Sequence, residues 1–411
     1  MVYIEVLNYF LVFTAGGLIS YYFVISLLAL RTNTNISHEA IRTRKFAVIL
    51  YSQGNGNVLS RSLYSISGLV YPKNKYDLIV IADSYSDSIV QIAKKMGAKI
   101  LVPPNNQQAG NKNYILPWAF NSLLKGDASY DAIVSFDSDG LISGNYLKVM
   151  NYYLEQGSEV IQGSFNNLNN PKSWIGKIRE MDYVIDRFVY SLGRKALNQG
   201  INLRSNGICF STALLREFPW EIEKQPSITE YGIDLRLNGI EVDFASPAIV
   251  FTEILPVITS KKNYFINQSV SNYQLLRKYM PQFLRRVMKT KSFKHADIFF
   301  ELVSPKFANI ILFALAIGAM NGIGWGLGWI GLLTLILWSM IIGTAITSVY
   351  LALIVAGAQQ KFRRLVMYIP VTIYLKIEAL FKKTRRSEQP IETPNGKEKY
   401  LRVPDENQPV Q

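Results

Sequence analysis

Two aspartates in the stretch FDSDG, Asp137 and Asp139, are the residues whose spacing points most directly to chemistry. They follow a short apolar run. In an extended segment, side chains two positions apart face the same side, so both carboxylates can address one ligand. Paired carboxylates are hard oxygen donors that suit Mg²⁺ or Mn²⁺, and substrate phosphates usually complete such a site. A D-x-D pair also occurs in ordinary solvated loops, so the rest of the chain must support this interpretation.

Several other chemistries are excluded by composition. The chain has one cysteine, Cys209, and two histidines, His38 and His295. An intrachain disulfide, a multi-cysteine metal site and a three-histidine zinc centre are therefore excluded, and histidine-based catalysis is disfavoured. No G-x-x-x-x-G-K-S/T segment is present, and YSQGNGNVL has the wrong spacing for a dinucleotide fingerprint. With 411 residues, 49% of them hydrophobic, the chain can bury a large core.

The segments that must position the carboxylates alternate strand and helix patterns. Strands are predicted at 46–50, 77–82, 99–102, 131–136 and 159–162, and helices at 57–69, 87–96, 113–124 and 144–156. This alternation predicts a mostly parallel α/β sheet, in which ligands bind beyond the carboxyl ends of the strands. Asp83 follows the second strand and the D-x-D pair follows the fourth. All three carboxylates are therefore expected at one edge of the sheet.

From about residue 46 to residue 279, the chain resembles the family 2 glycosyltransferases, membrane-attached enzymes with a GT-A catalytic domain. IVIADSYSD resembles the family's second-strand segment, whose aspartate contacts the nucleotide and is Asp83 here. GNKNYILPWAF resembles its G-K-G-x-A-L block, with Lys112 at the lysine position. YDAIVSFDSDG resembles its D-x-D strand. The resemblance implies that Asp139 ligates Mg²⁺ or Mn²⁺ and that Asp137 contacts the nucleotide or the metal.

The family's catalytic T-E-D segment is altered in this chain. It reads SITEYGIDLRLNG, so Thr229 and Glu230 match while Tyr231 replaces the aspartate. The catalytic base is left open between Glu230 and Asp234, which are four residues apart and share one helix face. One or both of them could instead be surface charges of the helix.

The acceptor side also departs from the family pattern. VIQGSFNN and SNGICFS resemble two blocks that shape it. The Q-x-x-R-W motif keeps only its glutamine, Gln268, which is either an acceptor residue or part of an amphipathic helix. Trp220 is expected either to stack on a sugar or to pack in the core, as tryptophans more often do.

Two long uncharged segments, 7–30 and 307–357, predict membrane spans, because one crossing needs about 20 apolar residues. The second is long enough to fold back on itself at the glycine-rich stretch 321–328, which gives three crossings. All Lys and Arg residues lie outside these segments and outside the turn. The positive-inside rule therefore predicts a multi-pass protein of the plasma membrane with a cytoplasmic catalytic domain.

Basic flanks at 254–296 and 361–386 are expected to lie on anionic membrane lipids, and nucleic acid is ranked low as a partner because both adjoin a predicted span. The predicted layout is a transmembrane helix at 1–30, a linker at 31–45, a GT-A domain at 46–258, basic interfacial helices at 259–304, a transmembrane hairpin at 305–357, a basic membrane-surface segment at 358–386 and a disordered tail at 387–411.

The resemblance implies inverting, metal-dependent transfer of a sugar from a nucleotide-sugar, with a UDP-sugar favoured, to a lipid-linked or polysaccharide acceptor. Two alternatives remain open. One is a processive exopolysaccharide synthase, for which a homo-oligomer or a polysaccharide-export partner could complete a channel. The other is a catalytically inactive scaffold subunit, which the T-E-Y departure favours.

Overall fold

A single sheet forms the centre of the protein in the computed structural model, which describes residues 2–32, 40–51, 56–82, 88–104, 112–126, 129–168, 184–221, 223–224, 227–252, 261–290, 298 and 307–355. All of these residues belong to one unit of the chain, Met1–Ile369. The strands in this part of the chain are β1 (Phe46–Tyr51), β2 (Tyr76–Ile81), β3 (Lys99–Leu101), β4 (Ala132–Asp137), β5 (Gly140–Ile142), β6 (Val160–Asn167), β7 (Ile208–Ser211) and β8 (Val242–Thr252).

Helices cover both faces of this sheet and extend beyond it. Those described are α1 (Val2–Arg31), α2 (Gly56–Ser67), α3 (Ser88–Lys95), α4 (Lys112–Lys125), α5 (Tyr146–Glu155), α6 (Leu192–Ala196), α7 (Thr212–Glu217), α8 (Ile228–Leu237), α9 (Lys261–Thr290), α10 (Phe307–Gly326) and α11 (Leu332–Val355). A π-helical turn at Ile185–Ser191 leads directly into α6.

The strand order is β3-β2-β1-β4-β7-β6-β8-β5. The first four strands in this order are parallel, as predicted. The second half is not: β7 is antiparallel to both β4 and β6, β5 is antiparallel to β8, and only β6 and β8 run parallel there. Six of the eight described strands therefore run in one direction, as expected for a mostly parallel sheet, and the two reversed short strands, β5 and β7, make the sheet mixed.

The central strands are buried on both faces, as expected for a sheet covered by helices. Along β1 and β4, alternate residues enter two separate cores. Ile49 and Ile133 face one core, and Val48 and Val134 face the other. This two-sided burial fixes the register of the strands that end at the candidate site.

Three apolar helices, α1, α10 and α11, pack together with the π-helical turn, and Phe307 stacks on Tyr22 with ring centroids 4.5 Å apart. Within the described residues, Tyr3–Arg31 and Leu332–Leu351 are long and apolar enough to cross a membrane, while Ile310–Gly326 is shorter. The break of the predicted hairpin lies between α10 and α11. The break covers residues 327–331, so it begins at the end of the glycine-rich stretch 321–328, most of which remains helical.

Part of the basic helix α9 packs against α8. Leu275, Tyr279 and Phe283 of α9 form one apolar cluster with Ile233 and Leu237 of α8. This part of its apolar face is therefore used within the protein. The predicted segments 361–386 and 387–411 lie outside the described residues.

Candidate active site

The D-x-D pair lies at the carboxyl edge of the parallel strands. Asp137 is the last residue of β4 and pairs in register with Tyr51 at the end of β1. Asp139 is exposed in the turn that leads into β5. The hydroxyl of Ser62 on α2 donates to the carbonyls of Ser138 and Gly140, at 2.6 and 2.8 Å. These two hydrogen bonds fix the backbone of the turn on either side of Asp139. The carboxylate of Asp139 is thereby presented to solvent on a fixed backbone.

Asp137 is held by two contacts. Lys112, the first residue of α4, forms an ion pair with its carboxylate. The backbone N–H of Asp137 donates to the side-chain oxygen of Asn206 at 3.2 Å. Burial raises the pKa of Asp137, the Lys112 ammonium opposes this shift, and the nearby charge of Asp139 adds to it. A second positive charge beside this carboxylate would therefore stabilise its ionised form.

The donor set fits a divalent cation that is shared with a substrate diphosphate. No group of three or more His, Cys, Asp or Glu side chains able to hold a metal exists among the described residues. Asp137 and Asp139 nevertheless supply hard oxygen donors on one strand end and its turn. Mg²⁺ and similar ions commonly use one or two carboxylates and take their remaining ligands from phosphates and water. The residues suit that arrangement and not a cage made by protein alone.

Glu230 lies in the first turn of α8, where its backbone N–H donates to the hydroxyl of the capping Ser227 at 3.2 Å. Its side chain is largely buried. The Lys278 ammonium pairs with its Oε2 atom, and the phenol of Tyr279 donates to the same oxygen at 3.3 Å. Both partners come from α9, so this helix fixes where the carboxylate lies.

Asp234 lies one turn further along α8 and is half-buried. Burial raises the pKa of the Tyr279 phenol, and the charges of Glu230 and Asp234 raise it further. Both candidate bases therefore lie in the electrostatic surroundings of Tyr279. Both residues lie on α8, four positions apart, and their assignment as candidate bases stays a prediction.

Tyr231, at the position of the family's aspartate, points into the core. Its ring stacks on Trp220 with centroids 5.4 Å apart and an interplanar angle of 7°, and its hydroxyl donates to the Phe218 carbonyl at 2.6 Å. Trp220 is only 2% exposed and also contacts Phe120. Of its two predicted roles, this burial favours the core role, because little of its face remains available to a sugar ring.

Not every predicted site residue can be placed. Asp83 lies outside the described residues. Gln268 falls within α9, but its side chain is not among those described. Conversely, Asn206 and Ser62 were not identified as individual positions by the sequence analysis. Asn206 belongs to the stretch SNGICFS, so the resemblance of that block was the available signal.

A mixed α/β sheet of this order, with a D-x-D pair at the end of β4 and a lysine paired to it, is consistent with a glycosyltransferase of the GT-A type. Residues 43–280 match the model of the family described as "Glycosyltransferase like family 2". The chain belongs to this family, and the protein is a glycosyltransferase.

Individual relatives are distant. A poly(ribitol-phosphate) beta-glucosyltransferase from Bacillus spizizenii is 25% identical over 176 residues, which cover 41% of this chain and 27% of the relative. The aligned region thus spans about a quarter of that protein, 27% of its length.

A solved structure with a TM-score above 0.5 shares the fold. The mannosyltransferase PcManGT from Pyrobaculum calidifontis, in complex with GDP-Man and Mn²⁺, aligns over 92% of this chain and 99% of its own, with a TM-score of 0.51 and 11% identity. Residues 1–349 of TarS from S. aureus align over 89% of this chain and 98% of their own, with a TM-score of 0.41 and 16% identity. Structures of the fold thus include one that holds a divalent metal.

Proposed function

We propose that the protein transfers a sugar, with inversion, from a UDP-sugar to a glycan or lipid-linked acceptor at a membrane surface. The main support is the pairing of Lys112 with Asp137 at the end of β4, beside the exposed Asp139. This arrangement places the Lys112 ammonium and the carboxylates of Asp137 and Asp139 where the diphosphate of a sugar-nucleotide would lie. The related poly(ribitol-phosphate) beta-glucosyltransferase from Bacillus spizizenii carries out sugar transfer, which agrees with this chemistry.

Each residue of this edge has a proposed role toward the donor. Lys112 neutralises diphosphate charge and orients Asp137, while Asp137 contacts the nucleotide or a cation. Asp137 and Asp139 would hold Mg²⁺ or Mn²⁺, which when bound supplies Lewis-acid stabilisation of the departing diphosphate. Asp83 is proposed to contact the nucleotide, on the basis of the sequence resemblance.

The proton of the acceptor hydroxyl is proposed to pass to a carboxylate of α8. As the acceptor oxygen attacks the anomeric carbon, the bond from that carbon to the diphosphate breaks and the nucleoside diphosphate leaves. Glu230 is the first candidate base, because it matches the family's segment and two residues of α9, Lys278 and Tyr279, hold its carboxylate in position. Asp234 is the second. Gln268 remains a candidate acceptor contact, and Trp220 a weaker one because of its burial.

The donor is testable by thermal stability. A ligand that binds only the folded state raises the melting temperature, by an amount that grows with its concentration over its dissociation constant. We expect Mn²⁺ with a UDP-sugar to raise it more than Mn²⁺ with a GDP- or dTDP-sugar. A response to none of the three, together with no donor hydrolysis by the purified protein, would instead favour the inactive scaffold.

Membrane attachment through α1 and the α10–α11 hairpin is proposed on length and apolar composition. The catalytic domain would then face the cytoplasm, in keeping with the distribution of positive charges. Cysteines introduced one at a time at Gly328 and Lys148 provide the test in intact cells. An impermeant thiol reagent should label the first and not the second, and the reverse result would contradict this topology.

A further inference from the structure

One side of α9 exposes apolar and basic side chains together. Leu284 and Met288 are 53% and 73% exposed, which is unusual for large apolar residues beside a packed domain. Arg277 and Arg285 are exposed as well. Within the part of the chain that the structure describes, neither guanidinium has an ion pair or a hydrogen bond. These four residues are called the outer face of α9.

The opposite side of α9 is already occupied. Leu275, Tyr279 and Phe283 pack against α8 in one apolar cluster. An α-helix turns by about 100° per residue, so Met288 lies about 180° around α9 from Tyr279. The outer face is therefore directed away from α8 and is available to a partner outside the catalytic domain.

Charge and apolar content together identify the chemistry of this partner. Residues 254–296 contain nine Lys and Arg residues and no Asp or Glu. An anionic leaflet attracts such a segment, and the boundary between its headgroups and acyl chains also takes up apolar side chains. The phosphates of a nucleic acid would meet the charges but would leave Leu284 and Met288 in water. The outer face thus fits anionic phospholipid better than nucleic acid.

The chain also keeps α9 close to the proposed membrane spans. Ile298 packs in the cluster of α8 and α9, while Phe307 begins α10 and stacks on Tyr22 of α1. These two residues are nine positions apart, and nine residues of extended chain span at most about 32 Å. The cluster therefore lies within that distance of the end of α10 that the proposed topology places at the cytoplasmic leaflet.

We propose that the outer face of α9 binds anionic phospholipid of the membrane, and that this binding keeps Glu230 in position. The inference rests on the proposed transferase function and membrane attachment. Lys278 and Tyr279, which contact the Glu230 carboxylate, belong to the same helix. A helix fixed on the leaflet has less freedom to move away from α8, so the carboxylate keeps its orientation. Transfer is therefore faster on an anionic membrane.

A nitroxide attached to Met288→Cys measures the lipid contact. The full chain is placed in nanodiscs of phosphatidylcholine, alone or mixed with phosphatidylglycerol, and the native Cys209 is buried. In anionic nanodiscs, the label should be shielded from a water-soluble nickel reagent and exposed to oxygen. The same label on Glu217→Cys, on the exposed end of α7, should stay accessible to nickel. Equal nickel accessibility of both labels would overturn the inference.

Charge variants measure the effect on turnover. The parent should turn over a UDP-sugar about fivefold faster in anionic than in neutral nanodiscs, the scale of one basic residue at an anionic surface. The double variant Arg277→Gln, Arg285→Gln should bring this ratio close to one. Lys94→Gln with Lys95→Gln, at the exposed end of α3, removes the same charge and should keep the parent ratio. A parent ratio of one would overturn the proposed coupling.

Other outcomes separate this inference from the proposals on which it rests. A chain that does not enter nanodiscs would contradict membrane attachment. Absence of turnover in both lipid mixtures would count against the transferase function, while the nitroxide label would still report the lipid contact. Binding of an RNA oligonucleotide that is lost in the double arginine variant, together with a water-accessible label on Met288→Cys, would assign the outer face to nucleic acid and overturn the inference.

Discussion

The phenol of Tyr279 donates a hydrogen bond of 3.3 Å to the carboxylate of Glu230, across 49 positions of sequence. Lys278 pairs with the same oxygen, and the apolar face of α9 packs against α8 around this contact. A carboxylate held in this way has a fixed orientation. If it accepts the acceptor proton, Lys278 and Tyr279 act as positioning residues for the reaction.

Lys278→Gln should lower turnover about tenfold or more while UDP affinity is preserved, because the Glu230 carboxylate loses one of the two contacts that hold it in position. Lys278→Arg should recover part of the loss, and Lys289→Gln at the exposed end of α9 should match the parent. Turnover and UDP affinity are to be measured on all three variants. Unchanged turnover in Lys278→Gln would contradict a positioning role for Lys278.

Glu230→Gln should lower turnover by about two to four orders of magnitude while UDP affinity is preserved, because a base contacts the acceptor and not the diphosphate. Asp234→Asn should lose less. Turnover and UDP affinity are to be measured on both variants. A large loss confined to Asp234→Asn would assign the base to Asp234.

Asp139→Asn should reduce transfer by at least about a hundredfold, the scale of losing one electrostatic contact to a developing charge. The melting temperature should stay close to that of the parent, since Asp139 is exposed and supports no core contact among the described residues. Glu217→Gln, exposed at the end of α7, is the matched control. Near-normal transfer by Asp139→Asn, or by the parent in saturating EDTA, would contradict the metal assignment.

The sequence predicted the parallel half of the sheet well because β1, β2 and β4 are continuous apolar runs separated by helical patterns. It did not reveal β5, β7 or β8. The first two are only three and four residues long, and β8 contains Pro247, a residue that disfavours the interior of a strand. The location of the D-x-D pair at the carboxyl edge of the sheet was predicted from its position directly after the fourth predicted strand. The contacts of Glu230 with α9 were not predicted, because they join residues that only tertiary packing brings together.

The surroundings of Tyr231 are a second feature that only the tertiary structure shows. Tyr231 replaces the aspartate of the family's T-E-D segment, and the structure buries this side chain against Trp220. An aspartate there would lose the stacked ring and bury a charge, at a cost of several kcal/mol. Tyr231→Phe should cost only about 1 kcal/mol, for its hydrogen bond to Phe218. Urea unfolding of both variants measures the difference, and a stable, active Tyr231→Asp protein would refute it.

Gly193 permits the closest approach between α1 and the catalytic domain. A Cβ atom at this position would overlap the backbone carbonyl of Ile25 and approach its Cβ atom to 2.8 Å. Backbone atoms in a helix cannot rotate away from the added methyl group. Gly193→Ala must therefore push α1 away from α6 or distort the π-helical turn that leads into α6. Overpacking of this kind costs about 1–3 kcal/mol.

Gly193→Ala should therefore melt at a lower temperature than the parent in detergent, although alanine favours helices more than glycine does. Gly17→Ala in α1 separates these two effects, because a Cβ there meets nothing within 4 Å. That variant should match the parent or gain up to about 1 kcal/mol from helix propensity. If both variants melt alike, α1 is not held against α6 at this glycine. A loss confined to Gly193→Ala would establish that the apolar helix α1 and the helix α6 of the catalytic domain are in close contact at this glycine, so that a displacement of α1 is transmitted to the π-helical turn that leads into α6.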